Sequence, residues 1–462
     1  MHAVTRTGSS SAKVRLSRPI ADRVFLAIEW PFKHALFGCQ RCGQCLLSQT
    51  GMVCPMNCPK GLRNGPCGGT VEGRCEVYAD RPCVWMRIHE KSSGAPRNGA
   101  DLHPPFDVDL FNTSSYWNLL AGTDRATRLA RTLPEALRTR RTALVRTESR
   151  FERLLRSGQP VVTTELRCPR TAGDLPRARK EIESLLPLVD AMTTTSNHGG
   201  MPAFSTLELS REIARRNGCA IPTVCARDVV PSSFVQSLLD IEGAGLHDVF
   251  CVTGDWPARE SREPVSVEES QRRAFRMDAT QMICEARSLG TLGQAAFGSL
   301  PANTAPPRLF VGGAINPNSF PLNTVVKRLE QKTMCGVDYV FTQAVCNTDV
   351  FMDFLRAVER AGLRERLFLM ASVPVVGSVR GAEILRGLPG VRLPVRVFER
   401  FERTSDVSGE GSAWALEIVN ELAGKVDGFH IMNFGMPLSR MHGVLEHVRQ
   451  GLLSPASRYA RG

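Results

Sequence analysis

A chain of 462 residues, 42% hydrophobic and 23% charged, has the make-up of a soluble globular protein of two or three domains, and no apolar run reaches the roughly 18 residues that span a bilayer. The formal charge of +12 invites a nucleic-acid partner, yet the basic residues are scattered, aromatics are only 6% of the chain, and no DNA- or RNA-binding motif occurs. Nucleic acid and membrane are therefore excluded as partners.

Residues 1–24 are rich in Arg and Ser, nearly free of acids, and read as a disordered cytosolic tail. Residues 25–123 hold a cysteine-rich domain, with eight of the chain's 15 cysteines between Cys39 and Cys83. Disulfide frames belong to small secreted domains, so a dense cluster in a cytoplasmic chain points to metal. Cys39, Cys42 and Cys45 form C-x2-C-x2-C, the run that wraps a cubane in ferredoxins, whereas zinc sites more often present two separated pairs. Cys54 and Cys58 are each followed by Pro, and Cys67, Cys75 and Cys83 complete eight thiols, enough for two sites of four. The spacing favours a [4Fe–4S] cluster, with zinc as the alternative.

Residues 124–157 read as a basic helical connector. From 158 to 455 the rhythm changes. Eight short apolar runs, from "VVTTELR" at 161 to "GFHIMNFG" at 428, alternate with amphipathic helical stretches. Such alternation predicts a parallel sheet buried on both faces, and eight units in about 300 residues predict a (β/α)8 TIM barrel. The active site of that fold lies at the C-terminal strand ends, here Glu165, Thr193 to Asn197, Arg227, Asp228, Asp255, Asn316, Gln343, Pro374 and Asn433. Glu165 and Asp255 suit an acid/base carboxyl and a charge stabiliser.

The pieces "TTEL", "VTGDWP", "KTMCGVDYVFTQAVCN", "LMASVPVVGS" and "GFHIMN" resemble the methylenetetrahydrofolate reductase family over residues 150 to 450. The resemblance implies reduction of 5,10-methylenetetrahydrofolate to 5-methyltetrahydrofolate, or the reverse, by hydride transfer through FAD or FMN, with NAD(P)H as a hydride donor. It places Glu165, Asp255 and Gln343 around folate and flavin. Glu165 would protonate the leaving nitrogen, Asp255 would stabilise the iminium cation and contact the pterin, and Gln343 would meet a pterin edge or a nicotinamide amide. Thr193, Asn197, Gly254 and Asn316 are the polar candidates for the cofactor. The chain departs from the family pattern at Thr223, in "GGAINPNS" and in "NFGMPLSR".

The stretch "CQRCGQCLLSQTGMVCPMNCPKGLRNGPCGG" resembles the cysteine-rich domain that accompanies some bacterial reductases of this family. A cluster there would be an electron port for a ferredoxin or another one-electron partner; zinc would make it a docking domain. The competing readings are methyl-group handling in a corrinoid or demethylation pathway, and a non-catalytic electron-transfer or scaffold subunit.

Overall fold

The structure is a computed structural model that describes residues 18–70, 72–92, 102–123, 147–197, 200–257, 275–295, 298–300 and 305–453. Most of the expected tail and residues 124–146 of the expected connector lie outside that set.

The cysteine-rich module contains α1 (Ile20–Phe37), α2 (Val84–Ser92) and α3 (Ser115–Leu120), joined by tight turns. Helix α1 begins inside the stretch expected to be tail. Buried Asp22 explains why: its carboxylate accepts the Ser114 amide at 2.7 Å, at the cap of α3. Glu29 on α1 also takes the Ser114 and Ser115 hydroxyls, so the two helices are tied by polar groups that neither could leave buried alone.

Eight parallel strands form a closed barrel: β1 (Val161–Arg167), β2 (Ala191–Thr195), β3 (Ala220–Cys225), β4 (Asp248–Val252), β5 (Phe310–Ile315), β6 (Tyr339–Thr342), β7 (Phe368–Val376) and β8 (Gly428–Phe434). Each pairs with its neighbour in sequence, and β8 closes on β1 through Val161 opposite Gly428. All eight coincide with the apolar runs, and the fold is a (β/α)8 TIM barrel. Both faces of each strand are covered, which is why β7, "FLMASVPVV", is buried at every position.

Before the barrel comes α4 (Arg150–Arg156), and around it lie α5 (Leu175–Leu185), α6 (Thr206–Ala214), α7 (Pro231–Gly243), α8 (Ala279–Leu292), α9 (Leu322–Met334), α10 (Thr348–Arg360), α11 (Val379–Gly387), α12 (Val395–Arg403), α13 (Val407–Leu422) and α14 (Leu438–Leu453). Helix α10 shows the local logic. Asn347 caps its first turn by accepting the Asp349 and Val350 amides, and Phe351, Phe354, Leu355 and Val358 form the buried stripe. No helix among the described residues is long and apolar enough to cross a membrane.

Helix α4 was expected to be connector, but it plugs the barrel's N-terminal end. Phe151 is fully buried and packs edge-on against Tyr339 at 5.1 Å and Phe310 at 5.8 Å. Ser149 caps α4 and donates its hydroxyl to buried Asp248 at 2.8 Å. The bottom of the barrel is thus filled with aromatic rings, and the open end is the other one. Cys284 on α8 and Cys335 just after α9 are joined by a disulfide that no local motif announces; Cys251 and Cys346 are core thiols.

The module's "CPKGLRNGPCGG" loop sits on that open end. Asn64 donates its backbone and side-chain N–H groups to Asp278 at 3.2 and 2.9 Å, and exchanges bonds with the His103 backbone. The Phe275 amide donates to the Lys60 carbonyl at 2.8 Å. Gly68, at φ +91°, lies with its carbonyl 2.5 Å from the Asn316 amide nitrogen. A side chain at Gly69 would displace the Glu76 carboxylate, since a Cβ there would meet a Glu76 oxygen at 1.6 Å.

Candidate active site at the barrel mouth

Strand parity builds the site. On β1, Val161, Thr163 and Glu165 face the barrel interior in turn: Val161 joins the aromatic plug, Thr163 meets His430, and Glu165 reaches the cavity. On β8, His430 occupies the middle layer, stacked on Phe341 at 4.6 Å. The cavity above them has a volume of about 480 Å3, within the roughly 300–1,000 Å3 usual for small-molecule sites. Its lining includes Glu165, Asn197, Gly254, Asp255, Asn316 and Gln343, together with Thr223, Arg227 and Asp228.

Thr193 is a correction. It faces the interior one layer too low, buried, with its hydroxyl donating to the Thr164 carbonyl at 3.5 Å. Two residues on, the next inward position, Thr195, lines the cavity instead. Asn316 lines the cavity but spends both amide hydrogens on the carbonyls of Gly68 and Gly390, at 2.5 and 3.0 Å, and so clamps two loops. Gln343 donates to the Pro389 carbonyl at 3.1 Å and accepts the Ala344 amide at 3.0 Å, which leaves one hydrogen and one lone pair for a ligand. Gly254, at φ +86°, packs so close that a Cβ would lie 2.2 Å from the Cys225 sulfur.

Arg227 organises the rim. It forks onto Asp228 at 2.8 and 2.9 Å and donates to the carbonyls of Asn197 and Asp255 at 2.8 and 3.2 Å, so the ends of β2, β3 and β4 are fixed by one guanidinium. Asn197 adds a bond to Asp228 at 3.1 Å. Asn197, expected at a cofactor, lines the cavity, and its side-chain oxygen accepts the Ala203 amide at 3.0 Å.

His430 escaped the sequence reading, although it stands within "GFHIMN". Burial pushes its pKa down to about 4, against a smaller upward pull from Glu165. The Thr163 hydroxyl lies 3.0 Å from the ring's Nδ1 and 3.4 Å from the Phe429 carbonyl, so a hydrogen bond ties the imidazole to β1. The stability consequence follows from the sign of the shift. The unfolded chain binds this proton near pH 6.5 and the folded one only near 4, so the contribution is complete above 6.5 and is lost as pH falls from 6.5 to 4. The loss amounts to about 3 kcal/mol. Urea unfolding of a His430→Gln variant should show a flatter pH dependence across that window; an unchanged slope would contradict the assignment.

The eight clustered cysteines separate into two sets. Cys39, Cys42, Cys45 and Cys54 ring a small cavity of about 20 Å3, and Cys58, Cys67, Cys75 and Cys83 surround another of about 580 Å3. Burial pushes several of these thiols up, Cys54 and Cys58 to about 12 and Cys83 to about 11. Repulsion adds to this within each set: Cys54 feels Cys42 and Cys39, while Cys58 feels Cys83 and Cys75. Among the described residues no three His, Cys, Asp or Glu side chains stand close enough to grip a single metal ion. The eight thiols expected to hold metal stand as two sets of four, and local bonds orient some of them: Cys42 donates to the Gln44 carbonyl, and Cys67 donates to Glu76 while accepting the Gly69 amide.

Two family descriptions match the chain. Residues 150–439 match methylenetetrahydrofolate reductase, and residues 18–108 match methylene-tetrahydrofolate reductase C terminal. No curated protein sequence matches it. Among solved structures, an uncharacterised Clostridium thermocellum protein that binds two copies of 5-methyl-5,6,7,8-tetrahydrofolic acid is 13% identical, covers 66% of this chain and 99% of its own, and gives a TM-score of 0.48. Tryptophan synthase from M. tuberculosis, also 13% identical over 66% of this chain and 98% of its own, gives 0.36. Both are too distant to inform ligand or reaction. The longer family match spans more than half of the sequence and coincides with the barrel, and on that ground the chain belongs to the methylenetetrahydrofolate reductase family.

Proposed function

We propose that the protein interconverts 5,10-methylenetetrahydrofolate and 5-methyltetrahydrofolate by hydride transfer at the barrel mouth. The observation that carries this reading is the convergence of Glu165 and Asp255 on one cavity whose floor holds a neutral histidine. Opening the imidazolidine ring requires a proton at the leaving nitrogen, and Glu165 is placed to hold it. Asp255, exposed to the cavity on the opposite rim, suits a contact to the pterin and stabilisation of the cationic one-carbon unit. The remaining hydrogen and lone pair of Gln343 suit a pterin edge.

The residues fit a flavin. Val224, Phe250, Ile315 and Met432 give the cavity an apolar lining for its ring. Arg328 and Lys332 face an adjoining pocket of about 60 Å3; burial pulls both below their usual range, Lys332 to about 7, so an anionic phosphate there would relieve them. When bound, a flavin accepts electrons singly and delivers them as a hydride. The thiol rings fit a metal group by their chemistry: four sulfurs each, which a cation among them would turn to thiolates. Cys39, Cys42, Cys45 and Cys54 would hold one group, and Cys58, Cys67, Cys75 and Cys83 the second. As iron–sulfur clusters they would let a ferredoxin or similar cytoplasmic donor supply electrons.

Protein purified without oxygen should contain flavin, iron and acid-labile sulfide, and should oxidise 5-methyltetrahydrofolate with an artificial acceptor. Flavin-loaded protein that fails to oxidise it would overturn the reading in favour of a scaffold or another methyl-transfer chemistry. Zinc without sulfide would make the module a docking domain.

A further inference from the structure

Lys60 and Glu76 belong to the cysteine-rich module, yet both line the barrel cavity. They form an ion pair at 2.5 Å, with side chains only 3% and 6% exposed. The Lys60 ammonium also donates to the Gly254 carbonyl at 2.7 Å, and the Trp256 amide donates to Glu76 at 3.1 Å. Gly254 and Trp256 are the residues on either side of Asp255. The ring of Phe275 covers the ammonium at 5.7 Å and stacks on Trp256 at 6.2 Å. A buried ion pair is weak evidence of stabilisation, since taking both charges out of water costs about what their attraction returns. Its value lies in orientation, and here each partner directs one further bond at the turn that presents Asp255.

We infer that the Lys60–Glu76 pair is a positioning device for the barrel site, fixing the Asp255 turn from outside the barrel so that the folate site is complete only with the module in place. This rests on the folate reading above. The barrel's own bonds to that turn include those from Arg227 to the Asp255 carbonyl and from the Ala279 amide to the Thr253 hydroxyl. Lys60 and Glu76 supply the two bonds that flank Asp255, and displacement of a binding group by about 1 Å is enough to cost two orders of magnitude. Neither residue touches the reacting atoms in this scheme; they act through Asp255.

The test compares Lys60→Met, Lys60→Arg and Glu76→Gln with the parent, all full-length and purified without oxygen. Equilibrium binding of 5-methyltetrahydrofolate and hydrogen exchange of the segment 250–257 are measured on each, with metal content as a check on the module. Lys60→Met and Glu76→Gln should bind the folate at least about tenfold more weakly and exchange faster at Trp256. Lys60→Arg, which keeps the charge, should recover most of both. The double variant Lys60→Met with Glu76→Gln should be little worse than either alone, as expected of residues that act as a unit. Parent-like exchange at Trp256 in Glu76→Gln, which removes a charge without changing size, would overturn the inference even if Lys60→Met fails to fold. So would folate affinity within twofold of the parent. If the parent binds no folate, the functional reading falls, and the exchange measurement still decides whether the clamp exists.

Discussion

Glu165→Gln should lower the rate of 5-methyltetrahydrofolate oxidation by about 10²- to 10⁴-fold, the usual worth of a positioned proton donor or acceptor, while folate binding changes little. The amide keeps the size of the carboxyl and its place above Thr163, so the cavity survives; only the transferable proton is lost. His430, neutral and stacked on Phe341, cannot replace it as an acid near pH 7, because burial keeps its pKa at about 4. Steady-state rates with an artificial acceptor, taken beside equilibrium binding, make the comparison. Equal rates for parent and variant would remove Glu165 from the mechanism, and a loss confined to binding would make it a pterin ligand.

The largest stability effect is expected at Asp278→Ala. This side chain is wholly buried and does two things at once. One oxygen caps α8 by accepting the Thr280 and Gln281 amides at 2.9 and 3.1 Å; the other accepts both N–H groups of Asn64 from the module. Alanine removes the cap and leaves buried donors on Asn64 without their acceptor, for a total of about 2–4 kcal/mol. Urea melts followed by fluorescence should show the midpoint fall accordingly. A change below about 1 kcal/mol would mean that the junction relaxes and that the module is held chiefly elsewhere.

Much of the barrel was legible because buried parallel strands appear in a sequence as unbroken apolar runs, and their C-terminal ends then name the rim. Glu165, Asp255 and Gln343 were found that way and by resemblance, and the structure gathers them around one cavity. The reading slipped where single positions matter. Thr193 and Thr195 both face inward, and nothing in "AMTTTS" says which layer forms the floor. His430 lay in plain sight, but its neutral state follows from burial that only the closed barrel creates. Helix α4 looked like a linker because one Phe and two Leu give no hint that they seal a barrel. Lys60 and Glu76 stand well over a hundred residues before Asp255, and no local pattern announces a contact of that range. The cysteines could be counted, yet their division into two rings of four depends on how the turns between them fold.

The wall shared by the two cavities has a thermodynamic consequence. Lys60, Cys67 and Glu76 line both the barrel cavity and the ring of Cys58, Cys67, Cys75 and Cys83. A ligand on either side that requires this wall in its present arrangement removes the same conformational freedom. Whichever binds first bears the ordering, and the second then binds more tightly. The factor by which a metal group in the ring tightens folate must equal the factor by which folate tightens the metal group. If both sites are filled as proposed, the two domains are linked through this wall, and stripping one site of its occupant should be felt as lost affinity in the other.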